Sequence, residues 1–199
     1  MIRQCLSSSH CRYIFLLRRQ FSTKTRIKSY SWRKPEPGFI KLNFDGTSKD
    51  EAQNASIGGV YRNHEGVFML GYAEHIGRGT SSVAELVAAK RGLELALENE
   101  WLDLCIEGDA KAVVDLLSNK IVLKSEEDVR HARDIKMMVS MLRRFNASHV
   151  YRRGNRVADK FAEMGYEMSK PSIWPLIPPI EVLQLLYQDA KNTIPRKKK

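Results

Sequence analysis

The chain has 199 residues, 43% of them hydrophobic, which is enough for one packed domain with extensions. Its formal charge of +10 sits mostly at the ends: residues 1–34 carry nine Lys or Arg and no acid, and the last nine residues carry five more. Residues 35–190 hold 19 basic and 23 acidic side chains, a net of −4, so a pI near 9.6 is no evidence for a basic nucleic-acid face on the folded part.

The opening stretch, MIRQCLSSSHCRYIFLLRRQFSTKTR, is Arg-rich, Ser-rich and free of acids. That is the composition of an organellar transit peptide, and RRQFST resembles a mitochondrial cleavage site. Residues 1–34 are therefore read as a leader with a mitochondrial destination. A chloroplast or nuclear destination, a secretory signal and a disordered basic tail are the alternatives. The apolar run Tyr13 to Leu17 is far shorter than the roughly 20 residues needed to span a bilayer. Cys5 and Cys11 fall in the leader, which leaves Cys105 alone and excludes a disulfide framework or a thiolate metal site.

RKPEPG (33–38) marks the start of a domain expected over residues 35–170. In FIKLNFDGTS (39–48), Ile40, Leu42 and Phe44 alternate with Lys41, Asn43 and Asp45, the pattern of a strand with one buried face. That strand is expected to stop at Asp45. The Asp-Gly pair reads either as a turn or as a carboxylate presented to a ligand. SIGGVYR and VFMLGYA flank NHEG as a hairpin. SSVAELVAAKRGLELALENE predicts a helix with Val83, Leu86, Ala89, Leu93 and Leu97 inward. LDLCIEGD is a fourth strand and AKAVVDLL a short helix directly after Asp109. A longer helix follows, capped by Ser125, with Val129, Ala132, Ile135, Val139 and Leu142 inward. ASHVYRR is a fifth strand and NRVADKFAEMGYEM a helix. Trp32 is assigned to the linker and Trp101 to packing where the first helix ends.

The order βββαβααβα implies an α/β domain with a five-stranded mixed sheet, antiparallel first and then parallel, flanked by helices. Residues 171–199 form a Pro-rich extension, PSIWPLIPPIEVLQLLYQDA, with a short apolar helix expected to pack back on the domain, and a basic tail.

Four acids sit at element ends: Asp45, Glu85, Asp109 and Asp159. Each has a local explanation. Ser82 to Glu85 can form a capping box, Asp109 can be a helix N-cap, and Asp159 can be a first-turn acid. In a sheet of this order, however, the first and fourth strands are neighbours, which would gather the acids. Two carboxylates about 4 Å apart repel by roughly 4 kcal/mol at an effective dielectric near 20. Such a cluster has to be protonated or to bind cations. Hard divalent ions choose oxygen ligands, and a pair of them suits phosphodiester hydrolysis.

KLNFDGTS, SSVAELVAAKRGLELAL, IEGDAKAVVDLL and RRGNRVADKFAEMG together resemble the signature segments of the ribonuclease H superfamily, in particular its plant-type, reverse-transcriptase-like branch. The resemblance covers about residues 35–170. It implies a ribonuclease H-like fold and a metal-binding, catalytic quartet of Asp45, Glu85, Asp109 and Asp159 holding two Mg²⁺ or Mn²⁺ ions. It also implies endonucleolytic cleavage of the RNA strand in RNA/DNA hybrids. Asn155 matches the family's asparagine before the last aspartate, and it is also a natural helix N-cap. One departure is the catalytic-loop histidine. His149 lies ten residues before Asp159 but reads as a strand residue, which leaves the loop without one and puts turnover rate in doubt.

Arg143, Arg144, Arg152, Arg153, Arg156 and Lys160 surround Asp159 in sequence. Arg152, Arg153 and Arg156, with Asn155, are the candidates for nucleic-acid contact; a solvated charged face is the alternative. Three other functions stay open: a nucleic-acid-binding module that does not cut, a different nuclease of the same fold, and a scaffold that docks a protein partner through Ile180 to Tyr187. No membrane role is expected.

Overall fold

The computed structural model describes residues 31–118 and 126–192. Strands β1 (Ile40–Lys49), β2 (Asn54–Arg62) and β3 (Phe68–Gly77) run as an antiparallel meander. They lead into α1 (Ser81–Glu98), β4 (Asp103–Gly108), α2 (Lys111–Leu117) and α3 (Glu126–Ser140). After these come β5 (Arg144–His149), a 3-10 turn at Arg152–Gly154, α4 (Arg156–Gly165), β6 (Ser172–Pro175) and α5 (Ile180–Asn192). The sheet order is β5-β4-β1-β2-β3-β6, with β1–β4 and β4–β5 parallel and the other pairs antiparallel. The expected mixed sheet is present, with β1 beside β4, and it has six strands rather than five. The extra strand comes from the Pro-rich extension: Ser172 to Pro175 pair with Ala73 to Leu70. A four-residue run ending in proline carries almost no periodic signal, and proline is tolerated there because β6 is an edge strand.

β1 differs from its sequence reading in two ways. It does not stop at Asp45, and Asp45-Gly46 is not a turn, since the ladder with β2 continues from Asp45↔Gly58 to Lys49↔Asn54. Gly46 is a glycine because a Cβ there would strike the α1 backbone at Ala84 and Glu85. The chain turns instead at Asp50, Glu51 and Ala52, all with positive φ. The second difference is burial. Leu42 and Phe44 pack in the core under α1, but the polar face holding Lys41, Asn43 and Asp45 is buried as well.

Two cores result, one on each side of the sheet. The larger joins Leu42, Phe44, Leu104 and Ile106 to Leu86, Ala89 and Leu93 of α1 and Ala132 and Ile135 of α3. Val83, Leu97, Val129, Val139 and Leu142 sit at its margins, half-buried. Tyr72 Oη donates to the Ala88 carbonyl at 2.7 Å, and Tyr61 Oη donates to that of Gly92, so β2 and β3 grip α1 through its backbone. The smaller core joins Val60, Phe68 and Ala73 to Val157 and Phe161 of α4 and Val182 and Leu186 of α5. The apolar helix of the extension does pack back, as expected.

Several local assignments change. The N-cap of α1 is Thr80, whose side chain accepts the Val83 amide, rather than Ser82, so no acid lies in its first turn. The α2 N-cap is Ala110, so Asp109 caps nothing. The expected Ser125 cap lies outside the described residues. β5 begins at Arg144 and ends at His149, three residues earlier at its start and four at its end than ASHVYRR suggests, because it pairs with β4 from Asp103↔Arg144 onward. Trp32 is not a linker residue. It is 1% exposed, donates through Nε1 to Asn43 Oδ1 at 2.8 Å, and lies 3.7 Å beneath the Arg62 guanidinium. Trp101 packs against Tyr61, with ring centroids 5.0 Å apart, as expected.

The α4 axis crosses β2 so closely that a Cβ on Gly58 would collide with the backbone at Phe161 and Ala162. Backbone cannot swing aside as a flexible side chain can. Gly58→Ala is therefore expected to cost about 3 kcal/mol or more in urea unfolding.

Candidate active site

Parallel strands align like ends. The β1–β4 register pairs Ile40 with Leu104 and Asn43 with Glu107, so two residues further on Asp45 and Asp109 stand level at one rim of the sheet. α1 crosses that rim over Gly46 and adds Glu85. One carboxylate oxygen from each of Asp45, Glu85 and Asp109 lies within 4.8 Å of the other two. Asp159, in the first turn of α4, stands outside this trio: its Oδ1 accepts Arg152 Nη2 at 3.0 Å. It is close enough for its charge to act on both Asp45 and Glu85. Three of the four expected acids therefore meet, and the fourth is adjacent and held by an arginine. The local explanations fail for Glu85 and Asp109, which cap nothing, and hold for Asp159.

Crowding and burial dominate the electrostatics. Burial, then Glu85 and Asp109, a hydrogen bond with Asp109, and Asp159 push the Asp45 carboxyl up to about 10. Burial, then Asp109 and Asp159, push Glu85 up to about 8, against the lowering pull of the Gly46 amide and Arg152. Glu85 Oε2 is buried with no hydrogen-bond partner. Three oxygen donors of like charge, one of them unpartnered, match what a hard divalent cation requires.

Asn155 holds the N-cap position of α4 but its side chain makes no capping bond. Nδ2 donates instead to the Phe44 carbonyl at 2.9 Å and to Asp45 Oδ1 at 3.3 Å. At 1% exposure Asn155 cannot touch nucleic acid, and the expected surface contact is replaced by support of Asp45. His149 is a strand residue, as read from sequence, though it ends β5 rather than lying inside it, and Val150 to Asn155 contain no histidine. Its Nε2 lies 3.0 Å from the Asp109 carbonyl oxygen, and its ring meets Tyr151 edge-on.

The basic residues scatter. Arg143 and Arg144 both pair with Asp103, at the opposite end of β4 from Asp109 and about 20 Å from the acids. Lys160 pairs with Glu163 at 2.7 Å. Arg156 turns to α5, donating through Nη1 to Gln188 Oε1 at 2.7 Å with Asp189 at 3.5 Å. Arg152 and Arg153 stand exposed in the 3-10 turn, and Arg152 reaches the acids through Asp159.

Sequence reasoning missed a buried polar layer behind Asp45. Asn43 Nδ2 contacts Asn155 Oδ1 and Glu107 Oε2, both at 3.3 Å, while Glu107 forms an ion pair with Lys41. Arg62 and Asp189 complete it from β2 and α5. The available signal was weak: a polar face on a strand reads as solvated unless something is known to cover it. No described helix is long and apolar enough to cross a membrane.

A family profile described as reverse transcriptase-like matches residues 43–165, which is more than half of the chain. An Arabidopsis thaliana protein named as a candidate ribonuclease H is 29% identical over 155 residues, 74% of this chain. The match spans only 24% of that relative's length. Among solved structures, ribonuclease H1 of the archaeon Halobacterium salinarum aligns with a TM-score of 0.63 and 25% identity, over 65% of this chain and 98% of its own. The N-terminal ribonuclease H domain of a Mycobacterium tuberculosis protein gives 0.62 and 25%, over 65% and 94%. A metagenomic ribonuclease H1, solved with an RNA/DNA hybrid, gives 0.56 and 22% identity, over 64% and 96%.

The raised acids set a pH dependence. Between the ordinary carboxylate range and about 8 for Glu85 or 10 for Asp45, the folded chain holds protons that the unfolded chain has released. Stability therefore falls as pH rises through that window. In EDTA, the melting temperature is expected to drop from pH 5 to pH 8.5. Millimolar Mg²⁺ or Mn²⁺ should restore it at the upper end, and Asp45→Asn should flatten the slope; thermal melts across pH check all three.

Proposed function

The chain belongs to the reverse transcriptase-like family, and from that premise we propose that it is a metal-dependent endonuclease that hydrolyses the RNA strand of RNA/DNA hybrids. The observation that carries this reading is the convergence of Asp45, Glu85 and Asp109 from three separate elements onto one rim, with Asp159 beside them. The ribonuclease H neighbours at 25% identity support it, as does the complete set of four acids.

Asp45, Glu85, Asp109 and Asp159 would hold up to two Mg²⁺ or Mn²⁺ ions. When bound, such ions supply an activated water and stabilise the leaving oxygen of a phosphodiester. The remaining work falls to this chain's own groups. Asn155 anchors Asp45, so the carboxylate meets a ligand without first reorienting. Arg152 pairs with Asp159 at 3.0 Å. Arg152 and Arg153 offer exposed guanidinium groups in the turn that precedes α4, suited to phosphate oxygens, which they would position without reading bases. With no histidine between β5 and α4, a proton for the leaving oxygen would come from solvent, and low turnover is expected in the hybrid assay. The composition of residues 1–30 supports a mitochondrial destination, which a fusion of residues 1–30 to a fluorescent protein would test; Trp32 belongs to the folded core and not to a leader.

One assay separates the readings: RNA/DNA hybrid, single-stranded RNA and duplex DNA, each with and without Mg²⁺. Mg²⁺-dependent cleavage of the hybrid alone is the expected result. Retarded hybrid in Ca²⁺ with no cleavage in Mg²⁺ would replace the enzyme by a binding module. Asp45→Asn should stay folded and lose more than about 100-fold of the rate, since even groups behind metal ligands cost 10–100-fold when changed. Parental cleavage by purified Asp45→Asn would refute the assignment.

A further inference from the structure

We propose that Arg62 and Asp189 are positioning residues for the acid cluster, so that the C-terminal helix α5 helps to aim Asp45. This rests on the metal-site reading above and adds to it a mechanical role for a segment outside the profile match at residues 43–165.

The argument follows a continuous run of hydrogen bonds. Asp189 of α5 accepts Arg62 Nη1 on Oδ2 at 2.8 Å, and its Oδ1 lies 3.5 Å from Arg156. The other arm of the same guanidinium, Nη2, donates to Asn43 Oδ1 at 2.9 Å, where Trp32 Nε1 also donates at 2.8 Å. The Trp32 ring under Arg62 holds the plane of that fork. Asn43 Nδ2 faces Asn155 Oδ1 and Glu107 Oε2, and Asn155 Nδ2 faces the Phe44 carbonyl and Asp45 Oδ1. Asp189, Arg62, Asn43 and Asn155 are each 2% exposed or less.

Donor chemistry makes this run directional. Guanidinium and indole N–H groups only donate, so the Asn43 oxygen has to face them and its amide nitrogen has to face away. That choice turns the Asn155 oxygen toward Asn43 and its nitrogen toward Asp45. A flip of either amide would oppose donor to donor in a buried layer, leaving polar groups unsatisfied at about 1–3 kcal/mol each. One Asp45 oxygen is thus tied to a donor whose orientation is set four residues away, at α5. A well-packed apolar substitute for a buried ion pair is often as stable. Stability alone therefore does not call for this layer, whereas orientation of the carboxylate does. The layer also explains why Arg156 is withdrawn from the substrate side: it is the second cation on Asp189.

The test measures metal affinity rather than turnover. Mn²⁺ binding is followed by the electron paramagnetic resonance signal of free Mn²⁺, at a temperature where every variant is folded by circular dichroism. Arg62→Lys keeps the charge but cannot fork between Asp189 and Asn43, and is expected to weaken Mn²⁺ binding about 10-fold. Asp189→Asn, which sets an amide donor among the arginines, should shift it in the same direction. Trp32→Phe, which keeps the ring under Arg62 but removes one donor to Asn43, gives an independent variant should either of these fail to fold, and should weaken binding by a smaller factor. Ile135→Val is the control: it loosens α3 at a fully buried apolar position outside the network and should lower the melting temperature without moving Mn²⁺ affinity. Parental affinity in the folded variants of the network would overturn the positioning role and leave the metal site standing. Absence of Mn²⁺ binding in the parent protein would overturn the metal site and the positioning role together.

Discussion

Everything at the candidate site depends on the parallel pairing of β1 with β4. Because the strands run the same way and Asn43 is level with Glu107, their next outlying acids, Asp45 and Asp109, arrive at the same height. An antiparallel pairing would have put them at opposite ends of the sheet. The pairing itself follows from topology: after the β1–β2–β3 meander, α1 crosses one face of the sheet and delivers β4 to the free edge of β1. The same crossing carries Glu85 over Gly46, where the absence of a side chain lets helix and strand backbones approach.

That geometry imposes an electrostatic cost that the fold does not relieve. Asp45 is buried and Glu85 half-buried; they repel each other and are pushed far above the ordinary carboxylate range, and the buried Glu85 Oε2 has no hydrogen-bond partner. A structure selected only for stability would place apolar groups there. Titratable groups shifted by burial and like charge cluster at functional sites. Here the packing around them is substantial: α1 on one side, and α4 with the polar layer on the other.

The C-terminal segment changes character once its contacts are seen. β6 extends the sheet, Trp174 packs against Phe161 with centroids 5.5 Å apart, and Asp189 anchors Arg62. At the other end of the chain, Trp32 closes over the same arginine. Both flanks of the profile-matched region thus meet behind the acid cluster, one supplying a ring and a donor, the other a carboxylate.

Legibility in the sequence was uneven, for physical reasons. Residues whose chemistry depends on local pattern were readable: the alternation of Leu42 and Phe44 and the helical spacing of Leu86, Ala89 and Leu93. The four acids were picked out too, though Asp45 lies inside β1 and Glu85 beyond the first turn of α1 rather than at element ends. Strand alternation and helix periodicity are consequences of backbone geometry, which every residue shares. What could not be read were properties set by partners distant in the chain. Asp45-Gly46 looked like a turn because nothing local showed that α1 would press on Gly46. The burial of Asn43, Arg62 and Asp189 has no local signal, because it depends on α4, α5 and Trp32 closing over them. Arg143 and Arg144 seemed to belong with Asp159, yet β5 carries them to the far end of β4. The sequence by itself determined which groups could bind a cation and the elements that bear them. Only the tertiary structure decided which groups face one another, because hydrogen bonds and charge repulsion act over a few ångströms of space and take no account of separation along the chain.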